Sequence, residues 1–137
     1  MASQLWKLPL PSSARLSDDA TQKGGRLCVV TCVFDSDPLD GFELCFDGTE
    51  AYTVSYHRAA HPHTSFAAYD QLVDCGSTPW LCEITQRLTR EGTDVTSLRH
   101  LAIYFDDGPL YEFLCRSVSV RSLDPSHGAS PLFSDPR

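Results

Sequence analysis

The chain has 137 residues, 42% hydrophobic and 21% charged, which fits one globular domain able to fold alone and excludes a wholly disordered chain. Its formal net charge of −7 works against binding to DNA, RNA or anionic lipid, because neutralising phosphate takes Lys and Arg; a basic protein is the easier partner. No run approaches the roughly 20 apolar residues that span a bilayer, and the start Met1-Ala2-Ser3-Gln4-Leu5-Trp6-Lys7 lacks the pattern of a signal peptide, so no membrane association and a cytoplasmic location are expected.

Residues 1–25 read as an extended or loop segment. Leu5, Trp6, Leu8 and Leu10 suit a short strand, which Pro9 and Pro11 confine to a sheet edge. Ser12 to Gly25 is polar and ends in Gly24-Gly25, a long loop by composition. Arg26 to Asp35 is a strand with two apolar faces: Leu27, Val29 and Val33 on one, Cys28, Val30, Cys32 and Phe34 on the other. Asp35 to Gly41 is turn chemistry. Strands are expected over Phe42 to Asp47 and Glu50 to His57, and the short connections suggest a three-stranded meander.

The period then changes. Phe66, Tyr69, Leu72 and Val73 stand at helical spacing, which predicts a helix over Ser65 to Cys75 capped by Gly76. Thr78-Pro79 is a second start signal, an N-cap followed by proline at the first helical position. Leu81, Ile84 and Leu88 form its apolar stripe and Gly92 stops it. Leu98 to Phe105 and Leu110 to Cys115 flank Asp106-Asp107-Gly108-Pro109 and predict a β-hairpin.

A four-residue loop closed by Phe105 and Leu110 is the expected register. It puts His100, Ala102, Tyr104, Tyr111, Phe113 and Cys115 on one face. Leu101, Ile103, Phe105, Leu110 and Leu114 take the other, which should meet the helices. A slip in alternation at Arg116-Ser117 suggests a β-bulge. Residues 26–121 are read as a single domain and residues 122–137 as a flexible tail.

The six cysteines are expected to be reduced. Cys28 and Cys32 on one strand would stand about 13 Å apart, beyond disulfide reach. A Cys28–Cys45 cross-strand bridge is the alternative. Cys75 and Cys82, near helix ends, are the thiols to weigh for nucleophilic chemistry.

Candidate sites follow from residue chemistry. His57, His61 and His63 share a loop, and imidazoles ligate zinc, but no Cys-x-x-Cys accompanies them. Asp35, Asp37 and Asp40 echo a calcium loop, yet Pro38 interrupts it and Phe46 stands where a glutamate is needed. His100 with Asp106, Asp107 and Glu112 has the residue types of acid–base catalysis, but the expected register sets His100 and Glu112 on opposite faces. No nucleophile elbow, P-loop or dinucleotide fingerprint is present. Trp80, His100, Tyr104, Tyr111 and Phe113 remain as binding candidates, an aromatic surface beside the second helix.

The stretches Ala68-Ala-Tyr-Asp-Gln-Leu-Val-Asp74, Trp80-Leu-Cys-Glu-Ile84 and Leu98-Arg-His-Leu-Ala-Ile-Tyr-Phe-Asp-Asp-Gly-Pro-Leu-Tyr-Glu112 resemble small uncharacterised bacterial proteins. These pair a Trp-Leu helix with an R-H-x-x-I-x-F-D-D-x-x-x-Y-E hairpin. The resemblance covers roughly half the chain, implies a bacterial origin and carries no activity. In size, acidity and fold class the chain is also similar to toxin-neutralising immunity proteins.

The expected fold is therefore α+β: an antiparallel sheet of five to six strands with two helices packed on one face, in the order ββ(β)ααββ. The expected function is a non-catalytic protein-binding module without a cofactor, an inhibitor or immunity-type protein being the concrete version. One alternative is a ligand-binding protein or enzyme with a pocket near His100, Tyr104 and Tyr111. The other is a metal-binding protein using His57, His61 and His63. The partner is expected to be another, basic protein, with a homodimer as the other arrangement.

Overall fold

Strands that are apolar on both faces need cover on both sides, and this chain supplies it by stacking two sheets. The computed structural model describes residues 2–35, 40–56, 64, 67–123 and 129–133. Among them, ten strands form two antiparallel sheets of five. Sheet 1 runs, in spatial order, β1 (Ser3–Lys7), β6 (Gln71–Asp74), β7 (Arg99–Tyr104), β8 (Leu110–Cys115) and β5 (Ala51–Ser55). Sheet 2 runs β10 (Ala129–Phe133), β9 (Ser117–Ser122), β4 (Asp40–Asp47), β3 (Leu27–Phe34) and β2 (Arg15–Lys23). The α+β expectation of two helices on one sheet is thus corrected. The fold is mostly β, and α1 (Pro79–Arg90) is the one α-helix that stands as a full element among the described residues.

The helix expected over Ser65 to Cys75 gives way to strand β6. Ser65 and Phe66 of that expected helix lie outside the described residues; ahead of β6 the Ala68 N–H donates to the Thr64 carbonyl at 2.9 Å. Leu72 then points into the core between the sheets, while Val73 joins a second cluster with Ala68, Ala102 and Leu110 on the outer side of sheet 1. A strand covered on both faces carries adjacent apolar residues, and over so short a run that pattern matches a helix stripe.

Two further corrections concern connections. β3 and β4 pair as expected, Cys28 opposite Phe46 and Cys32 opposite Phe42. The chain then leaves sheet 2, and β5 pairs with β8 in sheet 1 rather than completing a meander. The slip at Arg116-Ser117 marks the return crossing. Cys115 ends β8 in sheet 1 and Val118 lies on β9 in sheet 2, both buried in the same core. The polar segment after Ser12 is no loop but β2, paired with β3 over its whole length, and β10 draws part of the expected tail into sheet 2.

The β7–β8 hairpin forms, one residue out of the expected register. Gly108 N–H donates to the Phe105 carbonyl at 2.7 Å and Phe105 N–H to the Pro109 carbonyl at 3.2 Å. Tyr104 and Leu110 therefore close a longer loop, with Leu101 opposite Phe113 and Ile103 opposite Tyr111. A one-residue slip exchanges faces on one strand. Leu101, Ile103, Phe105, Tyr111, Phe113 and Cys115 all turn into the inter-sheet core. There Phe113 stacks on Phe46 of sheet 2, with centroids 3.8 Å apart. The slip splits the face assigned to the helices: Leu101, Ile103 and Phe105 meet sheet 2, while Leu110 and Leu114 turn to the outer side with His100 and Ala102.

α1 starts and stops where its signals place it. The Leu81 N–H donates to Thr78 Oγ1 at 3.3 Å. Gly92, at φ 79°, lets its own N–H reach the Thr89 carbonyl and the Thr93 N–H reach that of Leu88, the paired bonds of a Schellman cap. Leu81, Ile84 and Leu88 are half-buried, and no side chain of α1 is fully buried.

All six cysteines are free thiols. Burial, assisted by the charge of Asp18, pushes Cys32 up to about 12 from the usual 9.0. Burial likewise takes Cys75 to about 12, with Glu112 and Asp74 adding to it. Cys28, Cys45 and Cys115 shift the same way, burial first in each. The folded chain therefore holds these protons more tightly than the unfolded chain. Their contribution to stability is complete below the unfolded value and is lost as pH rises through the folded ones. The urea midpoint is expected to fall steadily above about pH 9; a midpoint unchanged between pH 8 and 11 would contradict the burial of these thiols.

Candidate functional site

The outer face of sheet 1 carries a polar chain that the expected register had pulled apart. Ala102 pairs with Glu112 and His100 with Leu114, so His100 and Glu112 are diagonal neighbours on one face. His100 Nε2 lies 2.9 Å from Glu112 Oε1, and its Nδ1 lies 2.6 Å from Thr78 Oγ1, the N-cap of α1. Thr53 on β5 donates to the other Glu112 oxygen at 3.4 Å. The Trp80 ring stands edge-on to the imidazole, 5.1 Å away.

With a neutral imidazole one proton arrangement satisfies every group. Nε2–H donates to Glu112, the Thr78 hydroxyl donates to Nδ1, and Thr78 Oγ1 accepts from Leu81 N–H. Hydroxyl, imidazole and carboxylate in this order have the connectivity of a nucleophile relay. Here both ring nitrogens are held by protein groups, and the hydroxyl they adjoin is already committed to the helix cap. His100 is 4% exposed. The arrangement is suited to fastening the start of α1 onto β7 and β8.

The other binding candidates disperse. Tyr111 and Phe113 are buried between the sheets, on the opposite face of the hairpin from His100. Tyr104 is half-buried on the outer side, 6.1 Å from Tyr69, and Trp80 is half-buried against His100. No common surface joins the five. His57, His61, His63 and Asp37 lie outside the described residues. Among the described residues no group of three or more His, Cys, Asp or Glu side chains is placed to hold a metal ion. Cys75 is half-buried with its thiol pushed up, which disfavours a nucleophilic thiolate; Cys82 is exposed on α1.

Sequence reasoning missed the end of the sandwich where the β7–β8 loop sits. Arg15, at the start of β2, organises it. Its Nε donates to Asp18 Oδ2 at 2.8 Å and Nη1 to the Ser12 carbonyl at 2.8 Å. Nη2 donates to the carbonyls of Asp106 at 2.9 Å and Gly108 at 2.8 Å. The guanidinium carbon lies 5.5 Å from the Phe105 ring centroid, within cation–π range.

Ser12 completes the lock: its hydroxyl donates to Asp70 and accepts from the Asp106 N–H at 2.7 Å. Tyr111 reaches out of the core to donate to Asp18 Oδ1 at 2.5 Å. Asp70 (φ 56°) and Asp107 (φ 63°) occupy the left-handed region, which Asp tolerates better than most residues.

What this end presents is acidic and aromatic. Arg15 spends its hydrogen bonds on Asp18 and on backbone carbonyls, not on the carboxylates of Asp106 and Asp107. Tyr69, 44% exposed, donates its hydroxyl to Asp106 Oδ1 at 3.0 Å. That hydrogen bond, then burial and the nearby charges of Asp70, Asp106 and Asp107, raise the tyrosine above its ordinary value. The sequence held one hint, the pair Asp106-Asp107 at a hairpin tip. Arg15 stands 91 residues from Asp106, in a stretch with no strand signal.

If the His100 chain fastens α1, His100→Ala leaves Glu112 and Thr78 short of a partner and costs about 2 kcal/mol, while Thr78→Ser keeps the hydroxyl and costs less than about 0.5 kcal/mol. Urea unfolding checks both; equal losses for the two variants would contradict the clamp. Comparisons with known protein families, with curated proteins and with solved structures find no match for this chain.

Proposed function

We propose that this chain is a non-catalytic protein-binding module that offers the Tyr69, Asp106 and Asp107 end of the sandwich to a basic partner. The observation that carries the reading is the use of Arg15. Its hydrogen bonds hold the loop through backbone carbonyls and its ion pair is with Asp18, so it makes no direct bond to the carboxylates of Asp106 and Asp107. The rest follows from the chemistry of the exposed groups. A tyrosine with its hydroxyl tied to a carboxylate is a rigid, amphipathic anchor, the residue type that dominates binding energy at interfaces. A Lys or Arg of the partner would lie over its ring and reach Asp106 or Asp107.

The net charge of −7 favours the same sign of partner and faster encounter with it. The loop is held by backbone and side-chain bonds before any partner arrives, which lowers the ordering cost of binding. An inhibitor or immunity-type protein acting on a basic target is the concrete form of this reading. A pocket joining His100, Tyr104 and Tyr111 gains no support, because the hairpin register puts Tyr111 on the other face.

Selection of a displayed random peptide library on the wild-type protein tests the proposal. The expected binders are rich in Lys and Arg, and their affinity falls with added salt. It is also expected to fall by about tenfold or more on Tyr69→Ala and on the double variant Asp106→Asn, Asp107→Asn. Neutral binders, or binders indifferent to both variants, would overturn it.

A further inference from the structure

Residues 76–93, which are α1 and its flanks, lie on the sandwich without entering it. None of them is buried. Leu81, Ile84 and Leu88, the apolar stripe, are half-buried, and the residues between them are mostly exposed. Among the described residues, both core clusters are built without any side chain of this segment. The core between the sheets therefore loses no member when α1 is away.

The segment is tied to the sheets at its two ends and at one point between them. Just before it, the Cys75 N–H donates to the His100 carbonyl at 2.8 Å. Just after it, the Asp94 carbonyl accepts from Arg116 Nη2 at 2.9 Å. Inside it the bonds are its own: Leu81 N–H and Cys82 N–H to Thr78, Arg87 to Glu83, and Thr89 Oγ1 to the Thr85 carbonyl. At its root the Gly76 N–H bonds to Asp74 Oδ1, two residues back, at 2.9 Å. Beyond that local bond, and among the described residues, one hydrogen bond crosses to the sheets and no ion pair does. It is Thr78 Oγ1 to His100 Nδ1 at 2.6 Å. The one ring contact of the segment, Trp80 against the imidazole at 5.1 Å, meets the same residue. The specific contacts converge on His100.

A helix of 12 residues is marginal in water by itself and depends on tertiary packing. Here that packing is a half-buried stripe and one histidine, set against a sandwich whose own core is fully buried. Elements with little apolar burial and exposed backbone are those that open below the global unfolding free energy.

We propose that α1 is a lid on sheet 1, opening as a unit while the two-sheet core stays folded, with the Thr78–His100 bond as its clasp. Opening takes the Thr78 hydroxyl off Nδ1 and leaves Nε2–H on Glu112. The open chain then presents to water an imidazole with a free lone pair, oriented by a carboxylate, which the closed chain buries. The lid thus governs access to His100. Off the sheet the short helix unravels, so opening also releases its amide protons.

Native-state hydrogen exchange of the full chain, followed residue by residue by NMR, tests this. Amides 82–92 are expected to open together, with protection factors about tenfold or more below those of β7 and β8. Urea below the unfolding transition is expected to speed exchange in β7 and β8 and to leave α1 nearly unchanged, because lifting α1 exposes little surface. Phe46→Leu, which weakens the core between the sheets, is expected to do the same. His100→Ala is expected to lower α1 protection by about tenfold or more, and Thr78→Ser to keep it near wild type. Circular dichroism checks that each variant is folded. An α1 that exchanges in step with β7 and β8, in urea and in Phe46→Leu, would overturn the lid. So would fast exchange confined to the last turn, which is fraying. An α1 indifferent to His100→Ala would overturn the clasp.

Discussion

Everything in this molecule is arranged around a hairpin that is covered on both faces. β7 and β8 face sheet 2 with Leu101, Ile103, Tyr111 and Phe113, and the stack of Phe113 on Phe46 joins the two sheets at their centre. The opposite face holds His100, Ala102, Leu110 and Glu112 beneath other parts of the chain. Such a hairpin has one tolerable register, because a slip of one residue on one strand would exchange phenylalanine and tyrosine rings for Leu110, Glu112 and Leu114 in the core. Burying a carboxylate between apolar sheets without a partner would be very costly.

That register also sets the two polar regions. On the outer face it brings Glu112 to His100 and so fastens the start of α1. At the tip it sends the loop toward Arg15, where one guanidinium serves as donor to a carboxylate and to three carbonyls. A half-buried guanidinium is favourable when its inward donors are met, and its planar fork suits several fixed acceptors. The consequence is electrostatic: a cation folded inward holds in place a surface that is acidic and bears Tyr69. Stability and surface chemistry at this end share a cause.

Much of this was legible in the sequence, and the failures have physical reasons. β3 and β5 lie within the runs whose alternation announces them, β4 begins two residues before its run, taking in Asp40 and Gly41 from the expected turn, and Thr78, Pro79 and Gly92 mark the ends of α1. β6 was misread because Leu72 and Val73 are buried on opposite faces of a short strand. β2 was invisible because an edge strand needs only a few inward residues; Ala20 packs on the core while most of its neighbours are polar. Arg116 is where the chain changes sheets, and a crossing disturbs alternation much as a bulge does. The acidic tip was legible as two adjacent aspartates, but its organiser lies far away in the chain, and no local pattern encodes such a pairing.

The hairpin register is most directly tested by nuclear Overhauser contacts in the isotopically labelled protein. Ring-to-ring contacts between Phe46 and Phe113, together with contacts between the His100 ring and Trp80, are the predicted result. Contacts from Phe113 to Leu81 or Ile84, with none to Phe46, would place that ring under the helix and contradict the two-sheet core.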